Sequence, residues 1–293
     1  TNIDSVGLIT ARSGLEIGAR PGVAASISVD GNMIISGITT LGATSFTADA
    51  TVNSVTVGKG ANSVAGNTVV GEGALDAATT GGNNTAIGKD ALTASTTGYR
   101  NVAVGTRAAK TITTGNSNVA IGYECLEFTT TGSQNVAVGH QALEANTTAD
   151  GNTALGYAAM VSNTTGNNNI AIGAMALDAN TTGSQSIAIG SNALGSQNAD
   201  VKNVAVGYRA LQGTTSGTSN VGMGRDVLYT NTTGSYNIAI GNDALGNNTT
   251  ANNNVAVGYN CMGANTTGTE NTAVGKSALG GNTTGSYNTA VGT

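Results

Sequence analysis

The amino-acid sequence predicts an all-β chain: a parallel β-solenoid, or β-roll, of 17-residue coils with two short strands per coil. The first observation is a fixed interval. Asn-Val-Ala-Val-Gly stands at 101–105, 135–139, 203–207 and 254–258, with close variants between. Its last residue serves as an anchor: Gly71, Gly88, Gly105, Gly122, Gly139, Gly156, Gly173, Gly190, Gly207, Gly224, Gly241, Gly258, Gly275 and Gly292. These are spaced by 17 residues across 13 periods without insertion or deletion. Independent loops tolerate changes of length. A period this rigid means a stack in which an added residue would displace every neighbour.

The second observation is the chemistry of the columns. Four residues before the anchor stands Asn in 13 of 14 repeats, with Ser186 the exception. Val, Ile or Thr follows, then Ala, then Val, Ile, Leu or Met. This alternation of β-branched and small residues suits a short strand, whose side chains point to opposite faces. Three after the anchor stands Ala, replaced by Cys125, Val227 and Cys261, and four after stands Leu in ten of thirteen repeats. That Ala-Leu stretch reads as the second strand. The third observation is turn chemistry, Asn-Thr-Thr-Gly, as at 163–166 and 231–234.

These columns place the bulky strand residues on the core side. Ile121, Val138, Ile172 and Leu143 are expected in one inaccessible ladder. The Ala face is expected against the opposite wall of a thin coil or another chain. Gly at the anchor suits a corner that needs positive φ or close approach. The Asn column predicts a ladder, each amide bonding its copy in the next coil: Asn101, Asn118, Asn135, Asn152, Asn169, Asn203, Asn220, Asn237, Asn254 and Asn271.

Taken in order, residues 1–46 do not follow the period and read as a β-rich shaft or collar. Short strands are expected at Val6–Thr10, Leu15–Ile17, Ala25–Val29, Met33–Ser36 and Ile38–Phe46, with a tight turn at Asp30, Gly31 and Asn32. Too few aliphatic residues stand here for a single-chain core, which favours strands completed by other copies. Residues 47–70 are a transition in which Asn53 to Gly58 reads as a shorter first coil. Residues 71–293 are the solenoid. The chain opens on Thr1 rather than Met, so it reads as processed or as a fragment.

Composition narrows the function classes. Charged residues make up 9% of the chain and the net charge is −5, too neutral for a nucleic-acid binder with its basic stripe. No stretch reaches the length of a membrane span. Cys125 and Cys261 share a column eight coils apart, roughly 38 Å at strand spacing. They are expected to be free within one chain.

The rungs resemble the head repeats of trimeric autotransporter adhesins, which carry Asn-Ser-Val-Ala-Ile-Gly in a slightly shorter period. The longer unit running from Asn271 to Gly285 is similar to repeats of bacteriophage tail fibres, which often continue into a self-cleaving chaperone domain of the endosialidase type. The opening from Asn2 to Arg12, and Gly37 to Gly42, resemble structural proteins of marine cyanobacterial phages. The resemblance covers nearly the whole chain. It implies a homotrimer in a virion tail fibre, with other tail proteins as partners and attachment to the host surface as the role. A bacterial surface adhesin is the alternative class.

Catalytic chemistry finds little footing. His140 is the one histidine, with no recurring acid or cysteine beside it. The expectation is no enzyme, no cofactor and no metal. Asp226 and Asp243, two after their anchors in adjacent coils, are weighed as a shared cation site against two solvated carboxylates on a turn, and the turn is preferred. Immediately after the anchor come Tyr123, His140 and Tyr157 in three consecutive coils, then Tyr208 and Tyr259. An aromatic row could stack on sugar rings, so these five are the candidate glycan contacts, weighed against plain turn-capping. Stacked Thr pairs raise an ice-binding alternative. Adjacent residues point two ways in a strand, which disfavours it.

Overall fold

The computed structural model describes residues 49–199 and 201–293. The expectations for residues 1–46 lie outside them. The described chain is all-β: a β-solenoid of about 13 coils with 17-residue repeats.

The first elements differ from the expected short coil. Strand β1 (Ala50–Val52) and strand β2 (Val55–Gly58) form an antiparallel hairpin, with Val52 opposite Val55. Its two turn residues, Asn53 and Ser54, lie at φ 49° and 67°, the left-handed pair that a two-residue hairpin turn needs. Strand β2 then pairs antiparallel with β3 (Thr68–Gly71). The segment resembling a repeat unit is thus a hairpin laid on the end of the stack.

From β3 onward every pairing is parallel, with a register of one repeat. Strand β4 (Thr85–Ile87) pairs with β5 (Val102–Val104), and the ladder runs unbroken to β16 (Thr289–Val291). At strand spacing, 13 periods rise roughly 62 Å.

Each coil carries one strand, not two. The Ala-Leu stretch is a run of turns because it alternates through the left-handed region: Gln141 has φ 55° and Leu143 φ 53°. The same holds two and four after nearly every anchor. Its backbone still bonds along the axis, with Gln141 N–H donating to Tyr123 O at 2.9 Å and Leu143 N–H to Ala159 O at 3.0 Å. A left-handed residue costs roughly 1–2 kcal/mol. Fully burying a Leu contributes about 1.5–3 kcal/mol. Leu143 is fully buried, so burial wins at this position.

The core inverts the expected phase of the strand. Ala120, Ala137 and Ala171 are fully buried, while Ile121 beside them is 40% exposed and Val138 and Ile172 are half-buried. Of the expected buried ladder only Leu143 is inside. The physical reason is wall separation. A 17-residue coil is thin, and the Leu column of the opposite wall already fills it, so only Ala fits beneath the sheet. Val and Ile therefore face outward on both sides of each Ala.

Exceptions within the columns compensate one another. Gly222 replaces Ala, and a Cβ there would lie 2.2 Å from Leu211 Cδ1 and 3.1 Å from Val227 Cγ1. Val227 is itself the bulkier replacement three after its anchor. Where Ala109 replaces Leu, the same coil buries Ile112. Cys125 and Cys261 fill Ala positions, buried and free.

Asparagines hold the corners. Asn135 N–H donates to Asn118 Oδ1 at 3.0 Å, and Asn135 Oδ1 accepts from Asn152 N–H at 2.9 Å. Asn135 Nδ2 donates to Ala149 O at 2.8 Å, closing the coil from inside. The same bond from backbone N–H to side-chain oxygen links Asn101 to Asn118, Asn152 to Asn169, and Asn203 through Asn220, Asn237 and Asn254 to Asn271. A second ladder stands seven after the anchor. Asn180 Nδ2 donates to Asn163 Oδ1 at 2.8 Å, and Asn248 Nδ2 to Asn231 Oδ1 at 2.8 Å, all four fully buried. The Asn of Asn-Thr-Thr-Gly is therefore interior. The anchor glycines stack closely: Gly139 lies at φ 136°, and a Cβ on it would sit 2.4 Å from Gly156 O.

Candidate functional site

The corner after the anchor turns the next side chain outward, so residues in that column line up at coil spacing. Tyr123 and His140 stack with centroids 5.2 Å apart and planes at 24°, and His140 and Tyr157 at 5.4 Å and 29°. All three are exposed. The stacking alters what the row can do. Rings that cover one another's faces present edges, leaving only the outer faces of Tyr123 and Tyr157 for a sugar ring. The column continues with Thr106 before Tyr123 and Ala174 after Tyr157. Tyr208 and Tyr259 are exposed but stand apart from the row and, at three coils, roughly 14 Å from each other.

Beside the row the structure gathers acids that the sequence reading left unjoined. One carboxylate oxygen each from Glu124, Glu127 and Glu144 lie within 4.8 Å of one another. Arg107 supplies their counter-charge, its Nη1 2.6 Å from Glu124 Oε1 and 3.8 Å from Glu127 Oε1. The hydrogen bond from Tyr123, with Arg107 and Gln141 adding to it, holds the Glu124 carboxyl below its ordinary range. Burial, then the charge of Glu124, pushes Glu127 up, and burial with both neighbouring acids does the same to Glu144.

Asp226 and Asp243 are not a matched pair of solvated carboxylates. Asp226 is buried and engaged by two arginines, with Arg209 Nε 2.7 Å from Oδ1 and Arg225 Nε 3.0 Å from Oδ2. The charge these acids would offer a cation is met there by guanidinium groups. Asp243 Oδ2 accepts from Asn242 Nδ2 at 2.9 Å. The Arg209 guanidinium lies 5.0 Å from the Tyr208 ring centroid and 4.7 Å from that of Tyr229. Tyr229, five after its anchor, is the one aromatic residue in a column of mixed side chains and glycines, so no repeated residue type marked it.

The thiols are inert by environment. Burial pushes Cys125 up to about 12 and raises Cys261 in the same sense. Among the described residues no helix is long and apolar enough to cross a membrane.

These features define a β-solenoid repeat protein with an aromatic row and ion-paired side-chain clusters along its corners. No protein-family model, curated protein or solved structure matches the chain.

Proposed function

We propose that this chain is the repeat region of a bacteriophage tail fibre, a rigid homotrimeric spacer serving attachment to the host surface. The observation that carries the reading is the outer face of the sheet. In each coil two aliphatic or Thr side chains flank the buried Ala and face outward, and Ile87, Ile121, Leu155, Met223, Ile240 and Val274 are each over a third exposed. The two columns are about 7 Å apart and run the length of the stack, a footprint on the order of 400 Å². An exposed, largely apolar stripe of that size is often functional, and it suits a partner's surface. Its repeat is that of the chain itself, so other copies in the same register fit it best, and cyclic symmetry gives each copy the same burial.

Backbone bonds along the axis on every wall support a stiff rod, which suits a spacer. The virion setting rests on the resemblance of the opening segment and the longer repeat unit to phage fibres. Other tail proteins are its partners in this reading, and no step of catalysis, cofactor or metal enters it. Glycan contact at the aromatic row falls on the outer faces of Tyr123 and Tyr157. A bacterial trimeric adhesin head is the second reading, because the same stripe suits either assembly. Ice binding is disfavoured by the first Thr of each pair, whose hydroxyl donates along the axis, as Thr147 Oγ1 does to Thr164 O at 3.1 Å.

Immunogold electron microscopy with an antibody to the repeats distinguishes the settings. Label on tail fibres of phage particles supports the first reading. Label confined to the surface of uninfected bacteria replaces it with the second.

A further inference from the structure

The residues five after the anchor run Gln212, Tyr229, Gly246, Gly263 and Gly280 in consecutive coils. The column loses its side chains directly after a Tyr, so the wall recedes beside an aromatic ring. Two after the same anchors stand Arg209, Asp226, Asp243 and Asn260, and they border the recess. The result is a hollow of about 280 Å³, with Gly246 and Gly263 as its floor and Arg209, Asp226, Tyr229, Asp243, Asn247 and Asn260 as its walls. A second hollow of about 330 Å³ also borders Tyr229 and is lined by Ser196, Gln212, Thr230 and Thr232. Each approaches the lower end of small-molecule site volumes.

The geometry points to a binding site for a neutral saccharide that touches both hollows around Tyr229. Among the residues that line the first hollow Arg209 is paired with Asp226, and Asp243 adds a further carboxylate, which disfavours an anion and suits hydroxyl donors. The first wall is held in place before any ligand arrives, because Arg209 is fixed by Asp226 and by the faces of Tyr208 and Tyr229. Several planar groups keep capacity to spare. Asp243 Oδ1 is not used by the Asn242 bond. Asn247 spends Nδ2 on Gly263 O at 2.8 Å, leaving its Oδ1. The Asn260 side-chain amide bonds nothing among the described residues, and its Oδ1 sits over Gly263 where a Cβ would fall 1.9 Å away. Gln212 lines the second hollow, and its Oε1 is buried behind that wall without a partner. Such an acceptor calls for a donor. Vicinal hydroxyls satisfy carboxylate and amide groups of this kind as donors and acceptors at once, and the ring of Tyr229 offers an apolar edge to sugar C–H groups. An apolar ligand would strip water from these groups and leave them unpaired. The inference stands on the hollows alone, whichever particle or cell carries the chain.

Saturation-transfer NMR on the full chain tests it, with maltose, lactose, cellobiose and N,N′-diacetylchitobiose as neutral probes and sialyllactose as the anionic one. At least one neutral probe is expected to give saturable transfer. Gly246→Leu fills the floor, and its Cβ would meet Asp243 O at 3.2 Å, a close contact that the neighbouring backbone must yield to by a few tenths of an ångström. It should weaken binding at least tenfold. Asn260→Ala and Gln212→Ala, which add no bulk, should each weaken it severalfold and serve if Gly246→Leu does not fold. The inference is overturned if no neutral probe binds, if sialyllactose binds more tightly than lactose, or if binding survives all three changes. Binding lost in Tyr157→Ala but retained in Gly246→Leu would place the sugar on the aromatic row and also overturn it.

Discussion

The side-chain amide of Gln197 donates a 2.9 Å hydrogen bond to the hydroxyl of Ser186, and each residue is an exception in its own column. Ser186 is too short to continue the corner ladder as Asn does; it accepts Asn203 N–H at a longer 3.3 Å. Gln197 is one methylene longer than the Asn usual at its place and reaches across, and its Oε1 then accepts from Asn203 Nδ2 at 3.1 Å. The repair has a cost in the second ladder. Asn180 Oδ1 is buried with no partner, because the amide that would have reached it is turned toward Ser186.

Restoring both asparagines should therefore stabilise the coil. The double substitution Ser186→Asn with Gln197→Asn is expected to raise unfolding free energy by about 1–2 kcal/mol, the cost of an unsatisfied buried acceptor. The double change should do better than the sum of the two single changes, with a coupling of about 0.5–3 kcal/mol. Denaturant unfolding of the four chains reads this directly. Strict additivity would mean that the two residues do not act as a pair.

The anchor glycine carries a second prediction. Gly139→Ala combines a left-handed φ of 136° with a Cβ 2.4 Å from the carbonyl oxygen of Gly156. Neither can relax without displacing the next coil, so a loss of about 3 kcal/mol is expected, at the upper end for a strained residue. Gly246→Ala, where φ is not left-handed and the nearest atom is 3.2 Å away, should stay within about 1 kcal/mol. Thermal melts that rank the two equally would contradict the stacked-corner account.

Register supplies a third. Thr164 is half-buried, and its N–H and its hydroxyl both donate to Thr181 O, at 2.8 and 2.9 Å. Deleting it shortens one coil and moves every later bond in that coil out of phase. Thr164→Ser keeps the length and both donors and should cost within about 0.5 kcal/mol. Paired melting curves in which the deletion matches the substitution would remove any structural role for the 17-residue period.

The acidic cluster gives a pH dependence. Burial raises the folded-state pKa of Glu127 above its ordinary 4.5, with the charge of Glu124 acting the same way. The folded chain thus binds that proton more tightly than the unfolded chain. Stability is gained as pH falls through the raised pKa towards 4.5, and the penalty is complete above it. Glu127→Gln should melt higher than the parent near neutral pH, and the gap should close on acidification through that window. A parent more stable than the variant at neutral pH would mean that Arg107, 3.8 Å away, outweighs the burial.

The period, the parallel stacking and the turn-rich coil were legible because a constant interval leaves few other architectures. The strand phase was not. Bulky residues are ordinarily interior, and only the width of the coil, which depends on the Leu column opposite, decides that Ala120 goes in and Ile121 out. The left-handed wall was hidden for another reason: Gly, Asn and Asp signal that conformation, while Leu143 and Gln141 do not. A quieter signal was present. Val, Ile and Thr never occur two, four or twelve residues after an anchor, the three columns in which non-glycine residues take positive φ. β-Branched residues tolerate that region worst. The aromatic row was visible as a column, but the stacking that leaves its edges outward depends on ring orientation. The Tyr229 hollows needed the coordinates, because Gly246, Gly263 and Gly280 in one column do not by themselves show which side chains border the space they leave.

The central claim is that the outward Val and Ile stripe is covered by other copies of the chain. Sedimentation equilibrium of the intact protein tests it most directly, alongside a variant with Glu in place of Ile121, Ile172 and Ile240. The account predicts three times the 28.6 kDa chain mass for the parent and a dissociated, still β-rich variant. A folded parent that sediments at 28.6 kDa across micromolar concentrations would contradict it.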